Sequence, residues 1–308
     1  MAAGRGQGTV EWIGLVLLVS LLLLGLLALG GRLPAGALAR TMAARLICAA
    51  GLSDACAVEP ELVAAYGPAL AAQVERNAPK IIYEAGMTAL PVDFRSCRRA
   101  RCGNGPESGA VWTSDTGEPA AAFTHAVDCR SATARAASAR RGDDCSGDRQ
   151  GNLYIQYFLY YEDSTSLKDV PGDVGFHQDD WESYQVRIGP TDTEARASSH
   201  RGYNYKGGAG SWASDLGLVH RSAWGRSLGH TFVSGGSHAG HVYEPPPVRT
   251  VRGIRQTSQV PASERPPRWT PGDRLELIPI ETLAPAARLA IVPPWRKPVY
   301  RDPESEGT

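Results

Sequence analysis

Three residues within one hexapeptide carry the most chemistry in this chain: His177, Asp180 and Glu182 of the sequence HQDDWE. Residues 181–188 (WESYQVRI) alternate in character and predict a strand. Trp181, Ser183, Gln185 and Arg187 share one face, and Glu182, Tyr184, Val186 and Ile188 share the other. Extending the strand backwards places Asp180 on the glutamate's face, the one that continues into the core. Two carboxylates buried two residues apart are costly unless a cation or a shared proton offsets them. His177, three residues before Asp180, can bend onto the same point. The trio is therefore a candidate site for Ca²⁺, Mg²⁺, Mn²⁺ or Zn²⁺. The plainer alternative is that the two acids bond to loop amides and arginines while His177 lies exposed.

Further groups could join that site. His200 and His238 each fall on a loop of their own, where they would complete a metal shell, act as acid and base, or serve as structural histidines. His241 is a weaker candidate, and His125, His220 and His230 read as surface or core residues. Tyr203, Tyr205, Trp212 and Trp224 lie in the Gly-rich stretch 202–225, which would make an aromatic loop for a sugar or lipid head group, or simply cover core edges. Ser237 precedes His238, but there is no G-x-S-x-G elbow and so no ground for a serine hydrolase. Two functions remain. The preferred one is a binding or surface module whose cation grips a polar head group or glycan. The other is a metal-dependent hydrolase, in which His177, Asp180, Glu182, His200 and His238 place a metal-activated water.

The elements that must position these residues are mostly strands. Residues 153–161 (LYIQYFLYY) are apolar or aromatic on both alternating faces, as in a central strand covered on each side. Other short β-rich runs fall at 80–83, 231–234 and 275–279. With 34 Gly, 22 Pro and 21% charged residues in 308, the composition suits a loop-rich, strand-based domain rather than a helical bundle. Residues 33–77 are alanine-rich with apolar positions at helical spacing, and predict two helices. Pro60, flanked by Glu59 and Glu61, suits the first turn of the second. Residues 130–150 have almost no apolar content and read as an exposed loop.

Lys+Arg and Asp+Glu are both 32, which excludes the basic footprint of a general nucleic-acid binder. Residues 12–29 (WIGLVLLVSLLLLGLLAL) are an uncharged run long enough, at about 1.5 Å per residue, to cross a bilayer. Arg5 precedes the run while Arg32, Arg40 and Arg45 follow it, so charge alone would keep the carboxyl side cytoplasmic. The six cysteines argue the other way. Cys48, Cys56, Cys97, Cys102, Cys129 and Cys145 show no zinc-module spacing, and disulfides in an oxidising compartment are the economical reading. Of fifteen pairings, the local set 48–56, 97–102 and 129–145 is the simplest. The expected location is thus the cell membrane, single-pass, with the bulk of the chain extracytoplasmic.

Two resemblances add to this reading. The sequence GQGTVEW, with Gly6 five residues before Glu11, resembles the leader of Flp-type pilins and TadE-like pseudopilins. That implies cleavage after Gly6, pairing of Glu11 with a neighbouring subunit, and possible pilus-type assembly as a minor subunit. The His-x-x-Asp-Trp-Glu core resembles that of the necrosis- and ethylene-inducing-peptide-like cytolysins and of the family named after vacuolar protein sorting-associated protein 62. In the cytolysins the corresponding histidine, aspartate and glutamate hold a divalent cation that engages a sphingolipid head group. An upstream aspartate of that site would fall at Asp169 or Asp173. Phe176 and Asp179 depart from the cytolysin pattern. The second family is similar over more of the chain: residues 78–84 (APKIIYE) with Leu90-Pro91, then Ser199-His200-Arg201-Gly202, then Gly236-Ser237-His238-Ala239. It implies a β-sandwich-like body over 78–300. The expected fold is thus mainly β. A single transmembrane helix (1–32 with its leader) and a short helical linker (33–77) precede a β-sandwich-like domain, which carries a Cys/Arg-rich loop insertion at about 97–150 and ends in a flexible tail, 301–308.

Overall fold

Leu153–Thr165 (β3) and Phe176–Ile188 (β4) run antiparallel in unbroken register, with Leu159 opposite Glu182 and Tyr161 opposite Asp180. The alternation read from residues 181–188 therefore holds along β4, and every residue of β3 from Leu153 to Tyr161 is buried. These two strands are the centre of a six-stranded sheet, which begins with Glu276–Pro279 (β12) and Ala121–Asp128 (β2) and continues beyond β4 with Thr193–Ala197 (β5) and Gly225–Arg226 (β6). The β12–β2 pair is parallel and the others are antiparallel. A four-stranded sheet follows the order Arg268–Thr270 (β11), Lys80–Tyr83 (β1), His230–Val233 (β7) and Gly240–His241 (β8), with β1 and β7 parallel. Thr250–Val251 (β9) and Ile254–Arg255 (β10) form a separate pair. This computed structural model describes residues 59–84, 87, 89–96, 111, 113–165, 176–198, 221–234, 238–243, 250–251, 254–255, 268–283 and 292–305. The chain divides into two units, Met1–Pro60 and Glu61–Thr308, and nearly everything described belongs to the second.

Each face of the large sheet has its own cover. On the face of Tyr161, Asp180 and Glu182, β8 packs close: a Cβ added at Gly240 would lie 3.2 Å from both the Ala197 Cβ and the Ser198 carbonyl oxygen. A side chain there would press on both neighbours, so the absence of one eases this close approach. Further along this face, the Tyr157 hydroxyl donates to the Val74 carbonyl in the helix Pro68–Arg76 (α2), which follows Pro60–Tyr66 (α1). The other face buries an aromatic cluster. Phe94 packs on Phe123 at 4.9 Å and Trp181 at 5.4 Å between ring centroids, and Trp295 packs on Phe123, Phe158 and Trp181 at 5.2–5.4 Å. Tilted and edge-on rings of this kind add to the burial of their large apolar areas.

Beyond the cluster, the same face is covered by the carboxyl-terminal segment, including the helix Pro298–Arg301 (α4). Arg221 is fully buried and donates to the carbonyls of Tyr300, Asp302 and Ser305, while Arg196 donates to those of Pro303 and Ser305. Glu304 accepts bonds from the Tyr154 hydroxyl, Arg187 and the Trp224 indole. The stretch expected to be loose is thus fastened through residue 305 by side chains from β3, β4 and β5. Trp224, read as part of an aromatic loop, is engaged in this fastening and in stacking on Arg187 and Arg196.

The expected fold class needs correction. The described residues make a mixed α/β arrangement with two sheets, mostly β, rather than a mainly β sandwich behind a membrane helix. Parallel pairs such as β1–β7 and β2–β12 require long crossovers that a simple antiparallel sandwich does not contain. The expected single-pass transmembrane helix is corrected with it. Among the described residues no helix is long and apolar enough to cross a membrane; α2, at nine residues, rises only about 14 Å. The apolar run 12–29 lies outside the described residues. So do the leader residues Gly6 and Glu11 and the cysteines Cys48, Cys56, Cys97 and Cys102.

The stretch 97–150 also differs from the expected loop insertion. It contains β2, buried at seven of its eight positions, and a helix Ala132–Arg140 (α3). Ser131 caps that helix by accepting the Ala134 N–H at 3.1 Å, as serine does at helix starts. Cys129 and Cys145 are disulfide-bonded around it.

Candidate functional site

Asp180 and Glu182 reach the interior because β4 runs through the middle of the large sheet and presents them to β8. Both side chains are buried, at 5% and 8% exposure. His238 comes to meet them from the segment between β7 and β8. There the His238 N–H donates to the Ser234 carbonyl and the Ser234 N–H to the Ala239 carbonyl. This tight turn gives His238 a φ of 50°. Its imidazole Nδ1 lies 2.9 Å from Asp180 Oδ2, and the ring stacks on Tyr161 at 4.0 Å and 6°. An ionised carboxylate can only accept, so with Asp180 ionised Nδ1 carries the proton and Nε2 presents a lone pair when the ring is neutral.

Glu182 differs from its neighbour. Burial, reinforced by the charge of Asp180, pushes its carboxyl well above the usual range, against the pull of bonds from the Ser198 hydroxyl and the Gly240 N–H. The carboxyl therefore holds its proton where a surface glutamate would have lost it. Its Oε2 is enclosed with no hydrogen-bond partner, as is the hydroxyl of Tyr161 on the same face of the sheet. A buried, unpaired polar atom costs about 1–3 kcal/mol.

Backbone strain gathers at the same place. The non-glycine residues with positive φ among those described are His238 and Asp179, at 50° and 58°. They flank the two ends of the His238–Asp180 bond. Left-handed backbone at a non-glycine residue costs about 1–2 kcal/mol and concentrates at functional sites. The Tyr160 hydroxyl anchors Asp179 through Oδ1 at 2.8 Å.

Of the residues proposed from sequence, the structure brings together Asp180, Glu182 and His238. His177 lies on β4 opposite Ser164 in the backbone register. Asp169, Asp173, His200, Tyr203, Tyr205 and Trp212 lie outside the described residues. His241 stands 3.4 Å from the Ser234 hydroxyl. Among the described residues no three His, Cys, Asp or Glu side chains are grouped so as to hold a metal. What the site offers is two carboxylates, with an imidazole behind one of them. Sequence reasoning missed Tyr161, Ser198 and Gly240. Tyr161 was accessible through the β3–β4 register, and Gly240 lies two residues after His238; Ser198 carries no local signal.

A second histidine–carboxylate cluster lies elsewhere in the molecule, and sequence gave it no weight. His125 on β2 is wholly buried, with Nδ1 2.8 Å from Glu281 Oε1 and Nε2 3.1 Å from Asp143 Oδ1. Burial alone would lower its pKa, but the bonds to Asp143 and Glu281 outweigh it and raise the pKa. Arg301 donates to Asp143, and Tyr66 donates to Glu281. With 0% exposure this imidazole cannot touch a ligand, and its role is to tie α1, β2, α4 and the turn after β12 together.

Compared with known proteins, the chain matches no family model, no curated protein and no solved structure.

Proposed function

We propose that the protein is a binding module of an oxidising, extracytoplasmic compartment, in which Asp180 and Glu182 take up a divalent cation and use it to grip a polar head group or glycan. The observation that carries this reading is the enclosed, unpartnered Oε2 of Glu182 beside the carboxylate of Asp180. An orphaned carboxyl oxygen next to a second carboxylate suits Ca²⁺, Mg²⁺, Mn²⁺ or Zn²⁺, which would displace the proton that burial holds on Glu182. Asp180 and Glu182 would hold the ion, which supplies a positive centre for ligand oxygens, and His238 would orient Asp180 as an outer partner does at metal sites. The resemblance of the His-x-x-Asp-Trp-Glu core supports the same assignment, and the Cys129–Cys145 disulfide supports the compartment.

The test is calorimetric titration of the chelator-treated protein with each of the four cations, for wild type and Asp180→Asn/Glu182→Gln. One equivalent bound by wild type and none by a variant with an unchanged melting profile is the expected result. No cation bound, or equal binding by the two proteins, would sink the assignment.

The His238–Asp180 bond favours one alternative, an acid–base role in hydrolysis, because an imidazole oriented through Nδ1 leaves Nε2 to move a proton. Turnover of nitrophenyl esters or phosphates that His238→Gln abolishes would decide for that reading.

A further inference from the structure

The four-stranded sheet turns one face inward and leaves the other open. Ile81, Tyr83, Thr231 and Val233 are buried on the inner face, where Gly240 of β8 approaches the large sheet. The alternate positions Lys80, Ile82, His230, Phe232 and His241 are half-buried, and Trp269 is 46% exposed. The strand register sets Trp269, Ile82, Phe232 and His241 side by side across all four strands. At about 4.8 Å between strands, that row is about 14 Å long. Lys80 and His230 are partners in the adjoining row.

The two basic groups of that second row have nothing acidic against them. The Lys80 ammonium lies over the Trp269 ring, 4.2 Å from its centroid, and makes no ion pair among the described residues. His230 meets Phe232 edge-on at 5.1 Å, and its ring nitrogens make no hydrogen bond among the described residues. By alternation Glu84 shares this face, but it has a partner of its own and stands four residues beyond Lys80, about 13 Å along the strand. The uncommitted cation and the exposed indole are thus in contact. A carboxylate that reaches the Lys80 ammonium brings the ring it belongs to against Trp269. The apolar groups here alternate with imidazole and ammonium instead of forming one patch, which suits a polar ligand with apolar ring faces better than a bilayer.

We propose that this outer face binds an acidic saccharide, a chain that carries uronic-acid carboxylates. One sugar ring lays its C–H face on Trp269, its carboxylate takes a charge-assisted bond from Lys80 and a hydrogen bond from His230, and the chain continues across Phe232. The site lies on the far side of the small sheet from Asp180 and Glu182, needs no cation and stands independently of that reading.

The experiment titrates the full-length chain with hexagalacturonate and with the uncharged maltohexaose, following heat and tryptophan fluorescence. A chelator is present throughout, so that a cation at Asp180 and Glu182 takes no part. Hexagalacturonate should bind saturably and at least about threefold more tightly than maltohexaose. Lys80→Gln should abolish that preference while leaving maltohexaose binding as it was, and Trp269→Ala should weaken both ligands about fivefold and remove the fluorescence change. Both side chains lie on the outer face, so neither replacement disturbs the buried inner one. Absence of saturable hexagalacturonate binding, equal affinity for maltohexaose, or a Lys80→Gln protein that keeps the preference would each overturn the proposal. Co-sedimentation with phosphatidylglycerol vesicles that Trp269→Ala abolishes and hexagalacturonate fails to displace would assign the face to a membrane and overturn it too.

Discussion

Replacing His125 by leucine removes a cation from between two buried carboxylates. The wild-type imidazole is bonded on both nitrogens, at 2.8 Å to Glu281 and 3.1 Å to Asp143. Side-chain exposure is 0% for His125, 1% for Asp143 and 16% for Glu281, so solvent screens little of the loss. Hydrogen bonds to charged groups contribute about 1.5–3 kcal/mol each, and removing one partner of a buried pair costs about 3–5 kcal/mol. We expect His125→Leu to lose about 4 kcal/mol at pH 6. With a guanidinium m value of about 4 kcal/mol/M, the midpoint should fall by about 1 M.

The pH dependence supplies the sharper test. The folded pKa of His125 is raised by its two acidic partners. Its contribution is therefore complete below the unfolded value of about 6.5 and fades as pH rises through the folded value. Hydrogen bonds from His125 lower the pKa values of Asp143 and Glu281 against the upward push of burial. Their contribution is present above about pH 4.3 and is lost as acid protonates them in the folded state. The gap between wild type and variant should thus be widest from about pH 4.5 to 6.5 and narrow on both sides. A gap under about 1 kcal/mol at pH 6, or one constant from pH 6 to 9, would refute the charged clamp.

Three other perturbations have defined outcomes. Arg221→Met removes the donor that holds the carbonyls of residues 300, 302 and 305, and should cost about 3 kcal/mol and make the tail a carboxypeptidase substrate; resistance equal to wild type would argue that other contacts fasten it. Cys129→Ser/Cys145→Ser opens a link between residues 16 apart and should lose about 3 kcal/mol, with a reductant lowering the wild-type melting temperature but not the variant's. Glu182→Gln, in chelator-treated protein, should raise stability at neutral pH. Burial holds the folded pKa of Glu182 above its unfolded value, so the wild type loses stability as pH climbs past about 4.3 and the glutamine variant does not. Identical pH profiles for the two would contradict the burial argument.

What was legible in the sequence follows from period and burial. The alternation in residues 181–188 placed Asp180 and Glu182 on one inward face because a strand's side chains repeat every two residues, and the doubly apolar run 153–161 could only be covered on both sides. β2 was hidden because AAFTHAVD mixes small and polar residues that gain their burial from neighbours far away in sequence. The bound tail was hidden for a related reason. Residues 298–305 carry no periodic signal, and the arginines that hold them come from residues 149, 187, 196 and 221. His125 looked like an ordinary core histidine because its partners lie 18 and 156 residues away.

The two histidine–carboxylate clusters use the same side chains and differ in whether cationic partners stand against the carboxylates. Around His125, the acids Asp143 and Glu281 face His125, Arg301 and Tyr66; the second oxygen of Asp143 makes no hydrogen bond but lies 3.4 Å from the Arg141 guanidinium. Charge is balanced, and the two carboxyl pKa values fall. Around His238, a neighbouring carboxylate and burial drive the Glu182 pKa the other way, one oxygen of Glu182 has no partner, and both strained non-glycine φ values stand beside the bond. At about 1–3 kcal/mol for the orphaned oxygen and about 1–2 for each strained residue, that corner holds roughly 3–7 kcal/mol of unfavourable energy. A domain stable by about 5–15 kcal/mol has little room for such a cost. A bound cation would offset part of it by displacing the Glu182 proton and filling the vacant bond, whereas at His125 the cationic partners already stand against the carboxylates.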